Sequence, residues 1–361
     1  MGGTPSPSGG ELLVTGASGF VGGAVVRRLL AEGRSVRGLV RSDDAARAVR
    51  ALGARPVVGD VLDPTSLLEA MRGCTVVFHA AGVNAMCAPD PAAMLRTNVE
   101  GTANVVRAAA AAGVRRVVHT SSASTIGEPA GTVGREDTPH RGRYLSAYER
   151  SKHRAELRAL ELGRALGLDV VCVNPASVQG PGRTGGTARL LLEAIRGRLP
   201  FAVDARFTVV DVEDCARGHL LAADRGRPGE RYLLAGATLT VREALDLFER
   251  VAGFRPRIRF VPPRAALMAA GAVEAAARAV GRPPPVCREM VRTLLHGHAY
   301  DGGRAQRELG LTYTPIEETL RRTLAWYVEQ GMLPAPVWDG GARATQATGG
   351  GEPGPAPGRE R

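Results

Sequence analysis

The chain has 361 residues, 44% hydrophobic and 23% charged, which supplies a sizeable core and excludes both a disordered polypeptide and a single small module. Its net charge of +11 does not mark a nucleic-acid binder, because the arginines are spread over nearly every predicted helix, without a basic run and with few aromatics to stack on bases. No run of about 18 uncharged apolar residues occurs, and the N-terminus, MGGTPSPSGG, has neither a basic nor an apolar leader region, so a cytoplasmic protein without membrane insertion is expected.

In chain order, residues 1–10 are rich in Gly, Pro and Ser and are expected to form a disordered tail. A regular alternation follows. Glu11 to Thr15 reads as a strand, Phe20 to Glu32 as a helix stopped by Gly33, Ser35 to Val40 as a strand, Asp43 to Leu52 as a helix and Arg55 to Val58 as a strand. Asp63-Pro64 supplies an N-cap with proline at the first helical position, opening a helix to Met71. Thr75 to His79 is a strand, Pro91 to Ala112 a long helix, Arg115 to Ser121 a strand, Tyr144 to Leu166 a long helix and Leu168 to Asn174 a strand. Alternating elements with apolar strands such as VVFHA require crossover helices on both faces of a parallel sheet. The fold class is therefore α/β, a doubly wound parallel (Rossmann) sheet, with residues 11–175 as a dinucleotide-binding domain. After Pro175 the alternation weakens, and 176–337 is expected to be mainly a second, smaller substrate domain. Within it, the strand and helix over 207–223 are expected to return to the main sheet. Residues 338–361 form a second Gly- and Pro-rich tail, expected to be disordered.

The first strand runs into Thr15-Gly16-Ala17-Ser18-Gly19-Phe20-Val21-Gly22 and then a helix. Glycines so placed allow a tight turn at Gly16, a close approach of a pyrophosphate near Gly19 and close helix–strand packing at Gly22. With 46 glycines in the chain, the spacing alone arises about 0.7 times by chance, so its position between the first strand and helix carries the argument. After the second strand, Val40 is followed by Arg41 where an NAD site usually places an acid; a guanidinium there favours the 2′-phosphate of NADP, with NAD as the alternative.

The strongest constellation is Tyr148-Glu149-Arg150-Ser151-Lys152. Of the 47 lysines and arginines, Lys152 is the only lysine, and it stands one helical turn after a tyrosine, a coincidence expected about 0.02 times. A phenol of ordinary pKa near 10 acts as acid or base around neutrality only if an adjacent cation stabilises its anion. Upstream, the strand from Arg115 ends in Thr120-Ser121-Ser122-Ala123-Ser124-Thr125, hydroxyls at the end of a parallel strand where ligands bind. The five cysteines are odd in number, scattered and without a CxxC pair, which indicates neither a disulfide framework nor a zinc site. His296 and His298 have no third ligand at a recognisable spacing, so they are read as surface or packing histidines and no metal is expected.

Together these segments resemble the extended short-chain dehydrogenase/reductase superfamily, the NAD-dependent epimerase/dehydratase group, from about Leu12 to Tyr327. Further cues are Gly59-Asp60-Val61, His79-Ala80-Ala81-Gly82, Asn98 to Thr102, and Asn174-Pro175-Ala176-Ser177 leading into Gly180-Pro181-Gly182. Within that group the chain looks most like the dihydroflavonol-4-reductase-like subgroup, which includes hopanoid-associated sugar epimerases. The resemblance implies Ser122, Tyr148 and Lys152 as the catalytic triad and Asn98 in a proton relay. It implies Asp60 and Val61 at the adenine, Ala80 and Ala81 along the cofactor, and Pro175 to Ser177 at the nicotinamide end. Gly16, Ser18, Gly19, Phe20, Val21, Arg41, Tyr148 and Lys152 complete the expected cofactor site. Nucleotide-sugar members usually carry Arg-x-Gly-Asp and Arg-Asp-Phe-Val stretches; here Leu294 to Asp301 and Ala205 to Thr208 stand in their place, which weakens the case for a nucleotide-sugar seat.

The leading expectation is an NADP(H)-dependent carbonyl reductase or alcohol dehydrogenase acting on a small, fairly apolar ketone or alcohol. The alternatives are a sugar epimerase or dehydratase holding NAD through the cycle, and a non-catalytic dinucleotide sensor, a class that commonly loses the Tyr-Lys pair retained here. A homodimer through helices 91–112 and 144–166 is also expected.

Overall fold

The structure, a computed structural model, describes residues 10–334; apart from Gly10, both expected tails lie outside the described residues. The first half alternates as β1 (Glu11–Thr15), α1 (Phe20–Ala31), β2 (Val36–Val40), α2 (Asp43–Ala51), β3 (Arg55–Val58), α3 (Pro64–Met71), β4 (Cys74–His79), α4 (Pro91–Ala111), β5 (Arg116–Thr120), α5 (Ala147–Leu166) and β6 (Asp169–Pro175). The second half adds β7 (Ser177–Gln179), α6 (Thr187–Ile195), β8 (Phe201–Ala202), β9 (Arg206–Asp211), α7 (Val212–Arg225), β10 (Arg231–Leu234), β11 (Ala237–Thr240), α8 (Val241–Ala252), β12 (Arg259–Phe260), α9 (Pro263–Ala279), α10 (Arg288–His296) and α11 (Ile316–Glu329).

Seven parallel strands form the main sheet in the order β3-β2-β1-β4-β5-β6-β10. Because successive side chains of a strand point to opposite faces, the apolar runs feed two cores. Leu12 and Val14 pack with Val25, Val49, Val118 and Leu220 on one side, while Leu13 packs with Leu67, Val77, Val105 and Leu162 on the other. The strand order reverses between β1 and β4, which opens a crevice at the C-terminal ends of the strands.

Two boundaries differ from the sequence reading for identifiable reasons. Helix α5 starts at Ala147 rather than Tyr144, because the Ser146 hydroxyl accepts the Glu149 N–H at 3.0 Å and caps the helix there. Strand β9 does not join the main sheet. It pairs with β7 and β11 in a separate three-stranded sheet, since the open edge of β6 is taken by β10, from Arg231 opposite Cys172 to Leu234 opposite Pro175. Helix α7 does pack back on the main sheet, against β5 and β6, and beside α1. A separate apolar cluster of Leu192, Phe248, Leu324, Tyr327 and Leu333 ties α6, α8 and α11 together.

The expectation of no disulfide is corrected. Cys87, in the loop after β4, is bonded to Cys287 at the N-cap of α10, with Cα atoms 5.9 Å apart and a sequence separation of 200. A pair so distant leaves no spacing signature in the sequence. Cys74, Cys172 and Cys215 are free and buried.

Three imidazoles are sealed under the crevice. His79 Nδ1 lies 2.8 Å from Thr15 Oγ1 and its Nε2 3.0 Å from Thr102 Oγ1, while His219 donates from Nδ1 to the Cys215 carbonyl at 2.7 Å and accepts from Thr120 Oγ1 at 2.9 Å. Burial pushes His79 down to about 3 and His219 to about 4, and holds His119 well below the ordinary value. Their folded pKa values lie below the unfolded one near 6.5, so their contribution is present above that pH and is lost progressively as pH falls from there toward the folded values. The three together are expected to lower the unfolding free energy by about 2 kcal/mol between pH 7.5 and 6. Urea unfolding at the two pH values measures this, and equal stability would contradict the neutral burial.

Candidate active site

The glycine loop is shaped by main-chain contacts. Gly16 has φ +69°, and a Cβ there would lie 2.7 Å from the Ala81 nitrogen and 2.8 Å from the Ala80 carbonyl carbon and oxygen. At Gly22 an added Cβ would collide with the Gly16 carbonyl, which explains the close approach of α1 to β1. Gly19 is the N-cap of α1 and offers no side chain to its first N–H groups; with Ser18 exposed beside it and Phe20 and Val21 in the first turn, this cradle fits a dinucleotide pyrophosphate. Ala80 N donates to the Thr15 carbonyl at 3.2 Å and Ala81 N to Thr15 Oγ1 at 3.1 Å, fixing the floor of the crevice.

Arg41 and Asp60 meet at the tips of β2 and β3, with Nη1 3.7 Å from Oδ2; Arg41 is largely exposed. Asp60 Oδ1 accepts the Leu62 N–H at 2.9 Å, and Val61 is buried against Gly101. Pro175 ends β6 and Ser177 opens β7, where its hydroxyl lies 3.3 Å from Thr187 Oγ1.

Ser122 caps the 3₁₀ turn Ala123–Ile126, and its hydroxyl lies 3.0 Å from Ser124 Oγ. The same hydroxyl faces the phenol of Tyr148, an interaction that lowers the phenol's pKa against the larger effect of burial, which raises it. Lys152, buried on the next turn of α5, donates to the Thr120 carbonyl at 2.6 Å, and burial pulls its ammonium down to about 8. The fold thus gathers the three residues expected to form the triad at the ends of β5 and α5. Lys152→Arg is expected to cost at least about tenfold in kcat/KM, because a planar guanidinium cannot occupy this buried slot; steady-state kinetics checks it.

Asn98 is brought to the same place. Its amide accepts the Val83 N–H at 2.7 Å and donates to the Val83 carbonyl at 3.0 Å and Ser151 Oγ at 2.8 Å. In this arrangement its hydrogen bonds hold the loop after β4 against α5. Gly82 sits between Asn98 and Lys152, where a Cβ would lie 3.1 Å from Asn98 Oδ1 and 3.8 Å from Lys152 Nζ.

Two residues carry roles that the sequence did not assign. Glu156, one turn beyond Lys152, is fully buried and accepts from Thr125 Oγ1 at 2.9 Å, from Ser121 Oγ, from Asn174 Nδ2 and from Arg231 Nη1 at 3.1 Å. It ties the serine loop, β6 and β10 to α5, and it works to raise the pKa of Lys152. The sequence signal was available: 148, 152 and 156 form an i, i+4, i+8 stripe on one helix face. Arg183 is the second. Its guanidinium lies 5.8 Å from the centre of the Phe20 ring, bonds the Val178 carbonyl and lowers the pKa of Tyr148, placing a cation between the glycine loop and the phenol. The Gly180-Pro181-Gly182 motif stood just before it.

A dinucleotide cradle at the switch point of a doubly wound sheet, with Ser122, Tyr148 and Lys152 at its mouth, defines an NAD(P)-dependent oxidoreductase of the extended short-chain dehydrogenase/reductase type. Residues 12–235 match the profile of the NAD dependent epimerase/dehydratase family, and the chain belongs to that family. Among its relatives, a putative dihydroflavonol 4-reductase of Synechocystis is 34% identical over 89% of this chain and 95% of its own. The 4-hydroxy-2-methyl-3-oxo-4-farnesyl-3,4-dihydroquinoline-1-oxide ketoreductase of Stigmatella aurantiaca is 36% identical over 89% of this chain and 98% of its own. Among solved structures, the dTDP-glucose 4,6-dehydratase DesIV of Streptomyces venezuelae, with NAD and TYD bound, superposes with a TM-score of 0.72 at 26% identity, covering 91% of this chain and 99% of that one.

Proposed function

We propose that the protein is an NADP(H)-dependent carbonyl reductase or alcohol dehydrogenase acting on a small, fairly apolar ketone or alcohol. The observation that carries this reading is the gathering of Ser122, Tyr148 and Lys152 at the ends of β5 and α5, with Lys152 anchored on the Thr120 carbonyl. The reductase names of the two relatives above support it. When bound, the nicotinamide supplies or accepts the hydride. Ser122 donates a hydrogen bond to the carbonyl oxygen, and Tyr148 delivers its proton to that oxygen as negative charge builds there. Lys152 favours the phenolate left behind and is anchored for that role by the Thr120 carbonyl. Screening ketones for NADPH consumption tests the proposal, with ketone-dependent oxidation as the expected result.

Arg41 carries the coenzyme preference. Arg41→Ala is expected to weaken NADPH by about 1.5 to 3 kcal/mol while leaving NADH nearly unchanged, since only NADPH has a 2′-phosphate to bond. Fluorescence titration of both coenzymes decides, and equal losses would contradict it. One observation favours a second reading, an NAD-holding epimerase or dehydratase: Arg41 already faces the Asp60 carboxylate, which offsets its charge toward a 2′-phosphate. Stoichiometric NAD in the purified protein would select that reading.

A further inference from the structure

Away from the crevice, Glu128 lies in the segment that leaves the serine loop. It follows Gly127, whose φ of +64° turns the chain inward, and it is fully buried. Two imidazoles converge on it from the other end of the sequence: His298 Nδ1 is 2.7 Å and His296 Nε2 3.7 Å from Glu128 Oε1. The fold therefore supplies the third group that the spacing of His296 and His298 lacked, and the reading of these two as ordinary packing residues is revised. We propose that Glu128, His296 and His298 form a binding site for one divalent transition-metal ion of the zinc type.

Three observations carry the proposal. The three ligand atoms lie within 4.8 Å of one another, and two imidazoles with one carboxylate is a donor set suited to zinc and its neighbours. Glu128 Oε2, on the carboxylate itself, is buried with no hydrogen-bond partner, although buried polar atoms are ordinarily paired. Among the described residues no arginine pairs with the Glu128 carboxylate. Arg141 directs Nη2 to the Glu149 carboxylate and meets Glu128 only through its main-chain carbonyl, at 3.2 Å. A divalent ion would neutralise the remaining carboxylate where no arginine does.

The site is also held in place before any ion arrives. His296 ends α10, and Gly297, with φ +72°, reverses the chain so that His298 returns to the same carboxylate. Gly134 N donates to the Ala299 carbonyl at 2.8 Å and Asp301 N to the Gly134 carbonyl at 3.0 Å, which pins this return beside the segment after Glu128. The far end of α10 is fixed by Cys287. Tyr300 Oη stands 2.9 Å from His298 Nδ1 and would give up that contact when the nitrogen takes the ion. A metal there would brace the loop carrying Ser122 against α10.

The test is metal content and spectroscopy on the full chain. Protein stripped with a chelator, reloaded with zinc(II) and desalted is expected to retain about one ion per chain and to unfold at higher temperature than the stripped form. Cobalt(II) in its place is expected to give the strong visible absorption of a low-coordinate site. Glu128→Gln and His298→Asn are each expected to weaken zinc by more than about tenfold, since even an outer-shell partner is worth that much. Should Glu128→Gln fail to fold, His296→Asn decides in its place. A wild-type chain that retains no stoichiometric zinc would overturn the proposal. So would retention undiminished in the variants, which would put the ion on other groups such as His140 and His153.

Discussion

Tyr148→Phe is expected to lower kcat by about 10² to 10⁴ while leaving NADPH affinity within about twofold. Removing the phenolic oxygen deletes the proton donor and keeps the ring that fills the crevice beside Ser122. Its effect belongs to the transition state, where the substrate oxygen gains charge, and not to coenzyme binding. Ser122→Ala is expected to cost less, because water can take over a hydroxyl's hydrogen bond. Single-turnover kinetics with saturating coenzyme checks both. A Tyr148→Phe enzyme that keeps more than a tenth of its kcat would remove the phenol from the reaction.

The second large effect falls on a residue that touches no substrate. Glu156→Ala is expected to lower the unfolding free energy by about 3 to 5 kcal/mol, the usual cost of removing one partner from a buried pair. Arg231 would lose its carboxylate, and Ser121, Thr125 and Asn174 would lose their common acceptor. As a positioning residue, Glu156 also has a signature that mere destabilisation would not give. It works to raise the pKa of Lys152, which burial has already brought to about 8. Its loss is expected to move the alkaline limb of kcat/KM to lower pH, and Glu156→Gln tests this with less structural damage. A stability change below about 1 kcal/mol with an unmoved pH profile would contradict the assignment.

The first half of the fold was legible because its signals are local. Asp63-Pro64 opened α3, Gly33 and Gly167 closed helices, and apolar strands alternated with helices as far as β6. The second half depends on contacts between distant segments, which leave no period to read. Strand β10, only four residues long, takes the edge of β6 and displaces β9 into another sheet. Cys87 meets Cys287, and Glu128 meets His296 and His298, only because the loops after β4 and β5 face α10 and its C-terminal turn. The site divided in the same way. Tyr148 and Lys152 share one helix and were visible as a pair, whereas the approach of Arg183 to Phe20 exists only once the segment after β7 has folded back against the start of α1.

Transfer of label from coenzyme to substrate tests the central claim most directly. With NADPH deuterated at C4 and a ketone that the enzyme consumes, the wild type is expected to place deuterium on the carbinol carbon of the product, and Tyr148→Phe to do so at least about 10²-fold more slowly. Conversion of a sugar nucleotide without uptake of external label, in a protein that turns over no ketone, would contradict the reductase account and establish a cycle run on tightly held NAD.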